Sequence, residues 1–113
     1  MVWRTGLLYK MSKLGIKGYM LAWISSFLST RTFQVRVGST LSNVFSLENG
    51  IPQGSVLSPI LFSIMINDLP EHINSNINIF ADDSCIWQSG LKLSEVTEKL
   101  QDSLDNISRW CKT

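Results

Sequence analysis

Apolar residues recur at helical spacing from Thr5 to Leu14, where Leu7, Leu8, Met11 and Leu14 share a face and Gly15 follows as a stop signal. Lys17 to Leu28 repeats the pattern with Met20, Leu21, Ile24, Phe27 and Leu28. The period then changes from 3.6 to 2. Phe33, Val35 and Val37 alternate with Thr32, Gln34 and Arg36, which predicts a half-buried strand. Gly38-Ser39-Thr40 supplies a turn, and Ser42 to Glu48 reads as the returning strand. Val56 to Leu69 is apolar nearly all round, which predicts a helix buried on most sides. Pro59 is tolerated only in a first helical turn, so the helix start falls near Ser55 or Val56. Leu69-Pro70-Glu71 ends that helix and His72 to Asn76 is a polar loop. Two short apolar runs, Ile77 to Phe80 and Cys85 to Trp87, flank Ala81-Asp82-Asp83-Ser84 and predict a β-hairpin. Ser94 reads as the cap of a last helix, with Glu95 and Glu98 in its first turn and Arg109 and Lys112 in its last. Leu93, Val96, Leu100, Leu104, Ile107 and Cys111 form its expected buried stripe, with Trp110 beside it.

Composition narrows the class. The 113 residues amount to one domain or less, and 44% hydrophobic residues provide material for a core. A net charge of +1 lacks the bulk basic signature of nucleic-acid binding, so any such contact must come from local patches. Cys85, Cys111 and the single His72 have no metal-ligand spacing, and reduced thiols are the default. Without a signal-like segment or an apolar run long enough to span a bilayer, the expectation is an intracellular chain, nuclear or cytoplasmic, with no membrane partner.

Candidate chemistry concentrates in two places. A hairpin tip projects the carboxylates of Asp82 and Asp83 close together, where they repel unless a cation lies between them. Hard oxygen donors of this kind suit Mg²⁺, as in phosphoryl- or nucleotidyl-transfer sites. Asp is equally a favoured turn residue. Upstream, the glycine- and proline-rich run Asn49-Gly50-Ile51-Pro52-Gln53-Gly54-Ser55 feeds a helix N-terminus. Its free N–H groups and dipole suit a phosphate or a base edge, and Gln53 adds an amide that donates and accepts. A plain strand-to-helix connection has the same composition. Arg31 and Arg36 can meet a phosphate backbone from the exposed face of their strand, or simply belong to a solvated face.

With both motifs placed, the sequence resembles the reverse transcriptase domain of non-LTR retrotransposons of the jockey-like kind. The matching residues are Gly6-Leu7-Leu8-Tyr9-Lys10 with Leu14-Gly15-Ile16, Trp23-Ile24 with Phe27-Leu28-Ser29, and Arg31-Thr32-Phe33-Gln34-Val35-Arg36-Val37. They continue through Gly50-Ile51-Pro52-Gln53-Gly54-Ser55-Val56-Leu57-Ser58-Pro59, then Ile66-Asn67-Asp68-Leu69-Pro70 and Phe80-Ala81-Asp82-Asp83. An RNA-directed RNA polymerase fits less well, since those enzymes usually carry Gly before the paired aspartates and lack the Pro-Gln-Gly-Ser block. Group II intron maturases are closer, but the Ile66–Pro70 block is retrotransposon-like.

The resemblance implies an α+β fold. The chain would be a partial right-hand polymerase palm with part of the fingers, an antiparallel sheet with a catalytic hairpin backed by helices. Asp82 and Asp83 would be two of three catalytic carboxylates holding two Mg²⁺ ions, Asp82 the principal ligand and Asp83 the weaker one. Gln53, Gly54, Phe80 and Ala81 would line the site for the incoming deoxynucleotide and its templating base, with Gly54 allowing close backbone approach. Phe80 stands where many relatives carry Tyr. The partners implied are an RNA template, a DNA primer and deoxynucleoside triphosphates. The family's first catalytic Asp and its ribonucleotide-excluding aromatic are expected ahead of Met1. A catalytic Lys, the primer grip and the thumb are expected beyond Thr113. Asp68 and Lys112 do not replace them. Two functions follow: a fragment of an RNA-directed DNA polymerase, or a catalytically inactive retrotransposon remnant with at most weak nucleic-acid or partner binding. A marginal, aggregation-prone chain is expected in either case.

Overall fold

The computed structural model describes residues 2–112; Met1 and Thr113, the bounds of the expected segment, lie outside the described residues. The chain is α+β and divides into two compact units, Met1–Met65 and Ile66–Thr113.

In the first unit, helix α1 (Arg4–Lys13) ends where the sequence predicts. Gly15 takes a φ of +89°, its N–H bonds Ser12 O at 3.1 Å, and Ile16 N–H bonds Met11 O at 3.0 Å. This is a Schellman closure, in which a left-handed residue returns two N–H groups to otherwise unpaired carbonyls. Helix α2 (Gly18–Leu28) follows and packs on α1. Leu7, Met11, Ile24 and Leu28 form the core with Val2 and with Leu61 of helix α3 (Ser58–Ile66). Lys10 Nζ donates to Met65 O at 2.7 Å and so satisfies a carbonyl in the last turn of α3.

The strand expected over residues 32–37 is divided. Strand β1 (Arg31–Phe33) pairs with β4 (Phe45–Leu47), and β2 (Arg36–Val37) pairs with β3 (Thr40–Leu41), both antiparallel. Between the ladders, Gln34-Val35 faces Ser42-Asn43-Val44, so one strand carries an extra residue and the ribbon is bulged. Ser42 bridges the break: its N–H bonds Val35 O at 2.9 Å and its Oγ accepts Val35 N–H at 2.9 Å. Phe33 and Phe45 stack with centroids 5.6 Å apart. The expected half-burial is not found. Phe33, Val35 and Val37 are exposed, because the ribbon packs chiefly on itself.

Helix α3 is also shorter and less covered than predicted. It starts at Ser58, with Pro59 in its first turn, and Ser58 and Leu61 are its buried residues, while Ile60 lies open.

In the second unit a 3-10 turn, Leu69–His72, leads to strand β5 (Asn76–Phe80), then β6 (Asp83–Trp87) and helix α4 (Leu93–Trp110). Leu69 is buried, and the indole N–H of Trp110 donates to Asp68 Oδ1 at 3.1 Å, fixing the end of α4 to the start of the turn. The stripe expected on α4 is rotated. Leu93, Leu104 and Cys111 are exposed, whereas Val96, Leu100, Ile107 and Trp110 are half-buried and Ser103 is fully buried. Ser103 Oγ lies 2.9 Å from both Ser75 Oγ and Lys99 O, so a polar tie holds the centre of the helix. Ser94 is not the cap. Lys92 occupies that position, its carbonyl accepts Val96 N–H at 3.2 Å, and its ammonium pairs with Glu95 at 3.1 Å. In place of one central sheet, the strands among the described residues form three two-stranded ladders.

Candidate active site

The hairpin of β5 and β6 is in register from Asn76↔Trp87 to Phe80↔Asp83, so Ala81 and Asp82 alone make the turn. A two-residue hairpin needs positive φ at its first central position to match the strand twist, and Ala81 supplies it with φ 52°. Asp82 is therefore a turn residue and Asp83 the first residue of β6. Alternation then sorts the faces. Ile77, Ile79 and Ile86 turn one half-buried face inward, while Asp83 shares the open face with Phe80, Cys85 and Trp87. Phe80 is directly across from Asp83 and is 82% exposed. Both carboxylates are exposed.

The base of the hairpin is pinned to α4. Asn74 Nδ2 donates to Asp102 Oδ2 at 2.7 Å, and Ser75 Oγ donates to Lys99 O at 3.4 Å. A free two-stranded hairpin is marginal in water, so these ties and the isoleucine face are what hold the turn in place.

Two adjacent carboxylates fit a hard divalent cation that keeps water and substrate phosphates in its remaining positions. They do not make a complete protein cage: among the described residues no group of three His, Cys, Asp or Glu side chains converges.

In the first unit, the predicted nucleotide loop is a sequence of turns. Gly54 has a φ of +81°, and a Cβ built on it would touch nothing within 4 Å, so glycine is required there by the backbone alone. Ser55 N–H bonds Pro52 O at 3.4 Å, Ser58 Oγ donates to the same carbonyl, and Leu57 N–H bonds Ser55 Oγ at 3.2 Å. Gln53 and Gly54 stand exposed at the apex.

Over residues 1–113 the chain matches the profile of a family described as reverse transcriptase (RNA-dependent DNA polymerase). The chain belongs to the reverse transcriptase family. It is 35% identical to the RNA-directed DNA polymerase from mobile element jockey of Drosophila melanogaster, over 96% of this chain and 13% of that relative. It is 36% identical to the corresponding Drosophila funebris protein, over 96% of this chain and 13% of the relative. A probable RNA-directed DNA polymerase from transposon BS of Drosophila melanogaster is 34% identical over 98% of the chain and 13% of its own length. The chain thus spans about 13% of the length of the curated relatives it matches. No solved structure matches it.

The two arginines of this reverse transcriptase segment separate. Arg36 is exposed near the ribbon tip, its Nε donating to Gly38 O at 3.0 Å. Arg31 is half-buried and donates to three backbone carbonyls, those of Leu28, Asn49 and Gly50. Asn49 and Ser58, which tie the Gln53-Gly54 loop at its two ends, fall inside the runs quoted from the sequence, but the sequence alone assigns neither a bonding role. Asn49 is held by Arg4, 45 residues away, a contact that no local periodicity encodes, whereas Ser58 returns its hydroxyl to Pro52 within the loop itself. No helix among the described residues is long and apolar enough to cross a membrane.

Proposed function

We propose that this segment supplies palm carboxylates and the nucleotide loop of an RNA-directed DNA polymerase, using an RNA template, a DNA primer and deoxynucleoside triphosphates. The observation that carries the reading is the paired carboxylate at the tip of an anchored hairpin, Asp82 in the turn and Asp83 beginning β6, in a chain of this family. Divalent ions, two Mg²⁺ by resemblance, would activate the primer hydroxyl and neutralise the departing pyrophosphate. Asp82 and Asp83 would hold them, Asp82 as principal ligand. Phe80 and Ala81 flank the carboxylates and shape the approach of the primer end. Gln53 offers an exposed amide, and the open face of Gly54 admits a nucleotide close to the backbone. Arg36 offers a guanidinium to a phosphate backbone. The site acts inside the cell, in the nucleus or the cytoplasm.

The second reading, a segment without polymerase activity by itself, is favoured by the absence of a third converging carboxylate among the described residues. One experiment addresses both. Substoichiometric Mn²⁺, a paramagnetic stand-in for Mg²⁺, should broaden the amide resonances of Ala81 to Ser84, and Asp82→Asn or Asp83→Asn should remove the effect. Broadening that persists in both variants would refute the metal site. In parallel, the 113-residue chain should extend no primer on an RNA template. Extension that disappears in Asp82→Ala would show that two carboxylates suffice.

A further inference from the structure

The ribbon ends and the nucleotide loop begins at Asn49-Gly50, a joint with every reason to be loose. Gly50 has a φ of +87°, and residues 43–48, which lead into the joint, are exposed. Instead, four bonds from three other parts of the unit converge on these two residues. Arg31 Nη2 donates to Asn49 O at 3.2 Å and also to Gly50 O. Gly50 N–H bonds Val2 O at 2.7 Å, and Asn49 Oδ1 accepts Arg4 N–H at 3.3 Å at the start of α1. The same guanidinium reaches the other way, its Nε donating to Leu28 O at 3.2 Å. Leu28 is the last residue of α2, where unpaired carbonyls and the helix dipole favour a cation.

We propose that Arg31 is a positioning residue for the nucleotide loop. Its guanidinium clamps the entry of the loop to the end of α2 and thereby fixes the exposed Gln53 and Gly54; this rests on the reading of that loop as a nucleotide site. Only Ile51 and Pro52 separate the clamped Gly50 from Gln53. On the far side, Ser58 Oγ holds Pro52 O, so the apex is suspended between two anchors. Arg31 also begins β1, opposite Leu47, so a displacement of the ribbon base is passed to the loop through one side chain. A lysine cannot do this. It is a single point charge on a flexible stem, without the planar fork that satisfies separated carbonyls together.

Residue-resolved hydrogen exchange on the chain, with wild type, Arg31→Lys, Arg31→Met and the control Arg109→Lys, tests this. Both Arg31 substitutions should speed exchange at least tenfold at the bonded amides of Gly50, Ser55, Leu57 and Ser58. The amides of Leu7 to Met11 should keep their rates, and Arg109→Lys should change none of them. Unchanged exchange at the loop overturns the proposal. So does equal acceleration in α1, which would make Arg31 a general contributor to stability. The experiment is then repeated with a deoxynucleoside triphosphate and Mg²⁺. Wild type should gain protection at Gln53 to Ser55, with half-protection in Arg31→Lys needing about tenfold more nucleotide. The same requirement in both proteins overturns the positioning role. Absence of protection in wild type overturns the nucleotide reading of the loop, while the exchange of the unliganded variants still decides whether Arg31 holds it.

Discussion

Ala81 carries the tightest local constraint in the Asp82-Asp83 hairpin. An L-residue with positive φ costs on the order of 1–2 kcal/mol, because its Cβ crowds the neighbouring carbonyl, and at φ 52° Ala81 has no hydrogen-bonding side chain to offset that. Glycine has no such penalty but loses more freedom on folding. The balance predicts that Ala81→Gly slows amide exchange in β5 and β6 roughly three- to tenfold, a gain of about 1 kcal/mol. Faster or unchanged exchange would mean that the turn is unstrained with alanine. The aspartates and their hairpin were legible from two short apolar runs and an Asp pair. The left-handed alanine was not, since turn chemistry would place Gly or Asn there. Residues held in sparsely populated backbone regions cluster at functional sites, which accords with a turn placed to present Asp82. Arg36 and Arg31 make a second residue-scale contrast. If Arg36 meets a phosphate, Arg36→Ala should flatten the salt dependence of primer–template binding by about 0.7–0.9 in the log–log slope. An unchanged slope removes Arg36 from the interface. Arg31, committed to carbonyls, should leave the slope as it is.

At the scale of elements, legibility followed how local the determining interactions are. Helix α1 could be read to its end because Gly15 sits three to four residues from the carbonyls it closes. Nothing lies within 4 Å of a Cβ built on Gly15, so Gly15→Ala isolates the backbone term. It should destabilise α1 by about 1 kcal/mol, seen as faster exchange at Met11 to Lys13, and Gly15→Asn should recover part of the loss. An alanine variant with wild-type exchange would show that the Schellman closure contributes little. The ribbon reads from the sequence as two plain strands because alternation carries no mark of the extra residue at Ser42 to Val44. The hydroxyl that bridges the bulge acts across the ribbon, not along it. The rotation of α4 escapes the sequence for a related reason. Its stripe counts apolar residues, whereas the buried centre is Ser103, matched by a serine 28 residues away.

Across the whole molecule, the sequence showed four helices, a hairpin with its carboxylates and a glycine-rich loop, and those stand in the structure. It did not show how little of the apolar material would be covered. Among the described residues the buried apolar side chains are Val2, Leu7, Met11, Ile24, Leu28, Leu61 and Leu69, and only Leu69 belongs to the second unit. Tyr19, Val56, Phe80, Leu91 and Leu93 are each more than 80% exposed. Burial stabilises at roughly 25 cal/mol per Å², so a unit with one buried apolar residue depends on half-buried contacts and on polar ties such as Trp110–Asp68 and Ser75–Ser103. Those ties contribute on the order of 1 kcal/mol each. The second unit should therefore open first. In a urea titration of the 113-residue chain followed by amide resonances, β5, β6 and α4 should lose protection at lower urea than Leu7 to Met11. The native protein should also bind a hydrophobic dye through its open apolar positions. Coincident, sharp transitions for both units in a monomeric sample, with no dye binding, would show a cooperative core that the burial of individual side chains does not account for.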